Sequence, residues 1–345
     1  MKRILIIISS FFPCLCAAQT FSGEYTAEWQ WDMKRKTNWV NLLRLNMDIQ
    51  LFDGKGTIEA SILHIAKTND RIADDWQTFS NIEEDNRVAT LAVLGYMHEW
   101  QAAHLFVGVR NVNEDFFTSD VTSLFTNSSC GIFPTIAASY PIANYTLSGL
   151  TVYFDVSKGN WLFKNSLYNG AGYNGWKRKD NQFVVHPKRD GVFNISQLEY
   201  ANRGAHYFAG VVVHSRQYPV QEDGEMVSAD KALRKTTCAW WVYGEQPVWS
   251  SAERSVTCMA QYSENTCHKS ACYRYAEAGC AYTDSLNLCG ATVQCARFKQ
   301  GTECSVELTY RRQLNRHIAL QPSFQYINNK VGSFTVLSAR LCCSF

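Results

Sequence analysis

Several sets of residues in this chain have side chains that do chemistry, and spacing tests each of them. Gly170-Ala-Gly-Tyr-Asn-Gly175 has the G-x-G-x-x-G form of a dinucleotide loop. Such a loop works by opening a helix onto the pyrophosphate, and Trp176-Lys-Arg-Lys-Asp180 opens none. Asp74-Asp75, Glu83-Glu84-Asp85 and Glu114-Asp115 could supply the two carboxylates of a glycosidase. The first two clusters fall in a polar connection where solvated charge is the ordinary explanation. His64, His98, His104, His206 and His214 lie on or beside alternating segments, outside any H-E-x-x-H motif, and no serine sits in a G-x-S-x-G elbow. Neither an enzyme nor a cofactor is expected.

Thirteen cysteines are present, of which Cys14 and Cys16 precede the mature start, leaving eleven. Cys238, Cys258, Cys267, Cys272, Cys280, Cys289, Cys295 and Cys304 crowd one region, yet none forms a Cys-x-x-Cys pair and His268 is the only histidine beside them. No metal site is expected. In an exported chain disulfides are possible. Cys267, Cys272, Cys280 and Cys289 fall in the least regular stretch, where stapling would help, whereas Cys258 and Cys295 read as small buried hydrophobes. Adjacent Cys342 and Cys343 point to opposite faces and cannot bond each other.

One polar set has a regular period. Arg44, Asn46, Asp48 and Gln50 interleave with Leu43, Leu45, Met47, Ile49 and Leu51. On a helix Leu43 and Leu45 would lie about 200° apart, so the segment is a strand. Asp53-Gly54 supplies a tight turn, and Gly56 to Ile65 returns with Thr57, Glu59 and Ser61 opposite Ile58, Ala60 and Ile62. The last eleven residues, Thr335 to Phe345, alternate likewise: Leu337, Ala339, Leu341 and Cys343 against Ser338, Arg340 and Ser344. A period of two over roughly 9–11 residues is what a tilted membrane-crossing strand requires, with lipid on one face and a watery lumen on the other.

Lys2 and Arg3 precede an apolar run from Ile4 to Phe12 and small residues before Gln19, which reads as a signal peptide over 1–18 and a mature domain over 19–345. Without Lys2 and Arg3 the chain has 31 basic and 31 acidic residues, a balance that argues against a nucleic-acid partner and suits a neutral cargo. No apolar stretch approaches the roughly 18 residues of a helical span, so membrane insertion requires a closed barrel. Strands are expected near 22–30, 41–51, 56–65, 89–98, 102–110, 148–155, 160–169, 192–200, 205–214, 237–245, 254–262, 272–282, 290–298, 304–312, 317–326 and 334–345. Short turns alternate with longer loops through the first two-thirds of the chain. The expected fold is all-β: a transmembrane antiparallel up-and-down β-barrel of about sixteen strands, with short periplasmic turns and long extracellular loops. Trp29, Trp31, Trp100, Trp161, Trp240, Trp241 and Trp249 stand near strand ends, as interfacial girdle residues do.

Gly108-Val-Arg-Asn-Val-Asn-Glu-Asp-Phe-Phe117, Leu124-Phe-Thr-Asn-Ser-Ser-Cys-Gly131 and Tyr140-Pro-Ile-Ala-Asn-Tyr145 resemble the carbohydrate-selective porins of the OprB family. The resemblance resumes in Asn160-Trp161, Tyr168-Asn-Gly170, Glu307-Leu-Thr-Tyr310, His317 to Tyr326 and the terminal Phe345. The sequence departs from the family in its cysteines and in Thr146, near where the family often has proline. The resemblance implies an outer-membrane barrel of about sixteen strands through which sugars diffuse inward.

In such a barrel Arg44, Asn46, Asp48, Gln50, Glu59 and Ser61 should face the lumen. The 111–147 connection is too long for a turn and is expected to fold inward and narrow the passage. Arg110, Asn113, Glu114 and Asn127 would then stand near the narrow part, with Phe116, Phe117 or Trp161 as ring surfaces for sugar C–H faces. The expected partners are mono- or small oligosaccharides and outer-membrane lipid, in a monomer or a trimer. The alternative is a plugged outer-membrane barrel whose loops bind or adhere at the cell surface.

Overall fold

A computed structural model describes residues 19–178, 180–220, 226 and 231–345. The expected leader, 1–18, lies outside the described residues. The wall begins with seven strands, β1 (Gln19–Trp31), β2 (Thr37–Leu51), β3 (Gly56–Lys67), β4 (Arg87–Trp100), β5 (Ala103–Arg110), β6 (Gly149–Lys158) and β7 (Trp161–Asn169). A two-stranded excursion, β8 (Trp176–Lys177) with β9 (Asp180–Asn181), interrupts it. The wall resumes with β10 (Val192–Asn202), β11 (Ala205–His214), β12 (Thr237–Ser250), β13 (Ser255–Asn265) and β14 (Cys272–Thr283). It ends with β15 (Asn287–Phe298), β16 (Gly301–Asn315), β17 (Ile318–Asn328) and β18 (Ser333–Ser344).

All sixteen wall strands pair antiparallel with their chain neighbours, and β1 closes the ring by pairing with β2 on one side and β18 on the other. Each expected strand coincides with one of them. Closure leaves no exposed edge, which a sheet in lipid cannot tolerate. The β2–β3 turn is tight because Phe52, Asp53 and Gly54 all take positive φ, of 54°, 55° and 86°. Short turns such as 101–102, 159–160 and 203–204 share one end with Phe345, while 68–86, 111–148, 170–191 and 215–236 connect strands at the other.

The wall is inside-out relative to a soluble protein. On β17, Gln321, Ser323 and Gln325 are buried toward the axis, while Leu320 and Tyr326 are 43% and 44% exposed on the outside. Leu45, Ile62, Val107, Val152, Leu167, Val293 and Leu341 continue the exposed apolar band. Buried polar and exposed apolar groups together mark a surface meant for lipid. Trp29, Trp240, Trp100, Trp161 and Trp249 are exposed near the ends of their strands, in keeping with an interfacial girdle.

The core lies inside the barrel, because two long connections enter it. From 111–148 come Phe116, Phe117, Phe125, Phe133 and Ile136, which pack on the inward residues Tyr153, Trp241 and Tyr275 of the wall. Trp241 is therefore not a girdle residue: it is 1% exposed, with its ring 5.1 Å from that of Phe117 and its Nε1 donating to Gln197 Oε1. The reason is parity, since consecutive residues Trp240 and Trp241 must point to opposite faces. The segment 68–86 also turns inward, burying Ile72 and Phe79 against Ile327 and Val336.

The cysteines depart from expectation. Cys295 is not a buried hydrophobe but is disulfide-bonded to Cys304, its cross-strand partner on β16. Cys258 is exposed on the outer face. Both take outward positions in their strands, where lipid rather than protein would cover them. Cys267, Cys272, Cys280 and Cys289 are free thiols, and the last three lie within β14 and β15 rather than in a loop that needs stapling. Cys342 and Cys343 are also unbonded.

Candidate functional site

Beside β1 to β5 the inward loop leaves a polar cavity of about 530 Å³. From β1 come Ser22 and Glu24; from β2, Arg44, Asn46, Asp48 and Gln50; from β3, Thr57, Glu59 and Ser61. Their spacing by two along each strand puts them on one face. Glu99 of β4 lines the end nearest the short turns, and Arg110 and Glu114 face it from the start of the inward loop.

Charge pairs cross the cavity at its loop side. Arg44 reaches from the wall to Glu114 at 2.8 Å, and its Nε donates to Asn46 Oδ1 at 2.9 Å. Asn111 Nδ2 donates to the other oxygen of Glu114, and its own Oδ1 caps the short 3₁₀ turn Val112–Glu114. Arg110 stands 3.1 Å from Asp115 and 3.6 Å from Glu59, with its guanidinium carbon 4.2 Å from the ring centre of Phe106. That cation–π contact and the paired carboxylates hold a nearly buried guanidinium in place. Asp115 is fixed through its carbonyl by Lys164 Nζ, which also meets Glu199 at 2.6 Å. Burial raises the Asp115 carboxyl to about 7, against the downward pull of Arg110.

Eight of the expected lumen residues, Arg44, Asn46, Asp48, Gln50, Glu59, Ser61, Arg110 and Glu114, meet at this one cavity. Asn113, Asn127, Trp161, Phe116 and Phe117 lie elsewhere. Asn113 does not line it: its Oδ1 accepts the backbone N–H of Tyr145, tying the start of the loop to its return. Asn127 is 1% exposed on the far side, donating its amide to Gln325 and its backbone N–H to Glu307 Oε2 at 3.0 Å. It anchors the loop to the wall. Trp161 points outward, 52% exposed, with its ring 4.8 Å from Tyr200. Phe116 and Phe117 offer no ring face to a solute, being 0% and 2% exposed in the core. Aromatic rings that looked available in sequence are consumed by packing the loop.

Sequence reasoning missed Glu24, Glu99 and the carboxylates that hold the inward segments. Glu307 accepts from the backbone N–H groups of Thr126 and Asn127 and from the Thr126 hydroxyl. Glu303 accepts from the N–H groups of Trp76 and Gln77. Glu277 accepts from Tyr275, Thr292 and Gln261 of the wall and from the Cys130 thiol of the inward loop. The available signal was a lone carboxylate on the inward parity of an apolar strand, such as Glu307 between Val306 and Leu308. A second cavity, of about 760 Å³, opens at the short-turn end between Asp120, Glu199, Arg203, His206 and Glu245.

Residues 285–333 match the model of the carbohydrate-selective porin family OprB. Among solved structures the chain is similar to Pseudomonas putida OprB at high pH, with 13% identity, a TM-score of 0.79, and coverage of 95% of this chain and 94% of that one. It is also similar to mutants of the Rh. blastica porin; one is 11% identical, with a TM-score of 0.63 and coverage of 95% of this chain and 100% of that one. An anion-selective porin from Comamonas acidovorans matches with 10% identity, a TM-score of 0.61 and coverage of 95% and 100%. No curated protein sequence matches the chain.

Proposed function

We propose that this chain, a member of the OprB family of carbohydrate-selective porins through residues 285–333, passes small sugars along the polar cavity beside β1 to β5, with Arg44, Asp48, Glu59, Arg110 and Glu114 as its lining. It is an outer-membrane porin: a sixteen-strand barrel with an apolar outside and a charged, loop-narrowed inside. The observation that carries the reading is the facing of Arg44 on the wall and Glu114 on the inward loop across the cavity.

Passage through such a site is passive. A sugar sheds part of its hydration at the narrow zone, and lining groups replace those hydrogen bonds while binding weakly enough to release it. Guanidinium groups donate to hydroxyl oxygens, and Asp48, Glu59 and Glu114 accept from hydroxyl hydrogens. A neutral solute with many hydroxyls uses both signs at once, whereas an ion meets one attractive and one repulsive partner. None of these groups has to form or break a covalent bond with the cargo, so the protein acts as a channel and not as an enzyme.

Liposome swelling with sugars of graded size, together with single-channel conductance, tests the assignment. Arg44→Ala and Glu114→Ala each remove one side of the bridge and should raise conductance and weaken sugar selectivity several-fold. The fold should survive, because a partly exposed ion pair contributes about 1 kcal/mol or less. Unchanged sugar flux and conductance in both variants, with wild-type barrels permeable, would reject these linings.

A further inference from the structure

The outer wall carries one charge arrangement that lipid tails do not satisfy. At the long-loop end of β12 to β16, register sets Trp240, Glu264, Arg274, Arg297 and Thr302 side by side on five consecutive strands. All five point outward, since Trp241, Ser263, Tyr275, Ala296 and Glu303 beside them are buried toward the axis. Arg274 and Arg297 are thus direct cross-strand partners on the lipid-facing side. Like charges so placed destabilise a sheet unless something neutralises them. Glu264 meets Arg274 at 3.5 Å and also accepts from Tyr262 Oη. Among the described residues Arg297 has no carboxylate partner. Lys269, exposed on the turn between β13 and β14, adds positive charge at the same edge.

Immediately below the arginines the wall turns apolar, with Ala276, Val293 and the Cys295–Cys304 disulfide on the same outward face. We propose that Arg274 and Arg297 bind the phosphate head group of an outer-leaflet lipid, whose acyl chains lie down this apolar strip. Two guanidinium forks on adjacent strands can each donate a pair of hydrogen bonds to one phosphate, geometry that a lysine would not match. A free phosphate would use the forks but leave the strip below unused, so the arrangement fits a lipid. The site rests on the outer-membrane assignment with the long-loop end outside the cell, and stands or falls independently of what the lumen conducts.

Native mass spectrometry of the purified barrel in neutral detergent micelles containing diphosphorylated lipid A tests the site. The wild-type protein should retain the lipid, Arg274→Ala/Arg297→Ala should bind it at least about tenfold more weakly, and Lys158→Ala at the short-turn end should bind as wild type. Arg297→Gln alone, should the double variant fail to fold, is expected to weaken binding in the same direction. Dephosphorylated lipid A should bind poorly, and equimolar inorganic phosphate should not displace the phosphorylated form. Equal retention by the arginine variants, equal binding of the dephosphorylated lipid, or displacement by inorganic phosphate would each overturn the proposal.

Discussion

Asp115 and Arg110 form a charged pair where β5 passes into the inward loop. Burial holds the Asp115 carboxyl at about 7, above the 3.8 of an exposed aspartate, even with Arg110 beside it. Above that pH, Arg110 faces the Asp115 carboxylate 3.1 Å away; below it, that neighbour is neutral. Cation preference of the channel should therefore fall as pH drops from about 8 to about 6, and Asp115→Asn should flatten the change; reversal potentials in a salt gradient measure both. The stability sign is opposite to that of a salt-bridged carboxylate with a lowered value. Here the native state binds the proton more tightly, so this group costs stability as pH rises from about 4 to about 7.

At the scale of elements, wall carboxylates act as hooks for inserted segments. Glu307 of β16 takes the backbone N–H groups of Thr126 and Asn127, and Glu303 takes those of Trp76 and Gln77. Glu307→Ala would strand the two buried backbone N–H groups of Thr126 and Asn127, each costing about 1–3 kcal/mol. Because the strand ladder is untouched, heat-modifiable gel mobility should persist while conductance rises and becomes noisier. Aromatic packing supplies a second hold on the same loop. Trp241→Ala removes a ring packed on Phe117 and Phe133, at a cost of about 3–5 kcal/mol. Trp240→Ala, one residue away on the lipid face, should cost far less; thermal unfolding in detergent compares the two.

For the whole molecule, closure is the governing fact. Every wall strand has two neighbours, so the backbone polar groups are satisfied within the sheet and the apolar band can face lipid. The purified protein should need detergent to stay dispersed and should run faster on gels unheated than boiled. A chain that stays folded and monomeric in water without surfactant would contradict the lipid-facing assignment of Leu45, Ile62, Val107 and Leu341. The interior is largely filled: the loop 111–148 takes up lumen with its own hydrophobic core and leaves polar space beside β1 to β5.

Strand number and facing were legible in the sequence because a period of two is a local property, carried by adjacent residues such as Leu43 to Gln50 and Leu337 to Arg340. The same parity placed Arg44, Asp48 and Glu59 on the inward face. What a ring or carboxylate meets once it points inward is a long-range matter. Trp241 and Phe117, 124 positions apart in the numbering, come together only when the loop enters the barrel, and so do Asn127 and Glu307. Periodicity decided which side each residue takes; the fold of the inserted loop decided whether that side is a passage or a packed core.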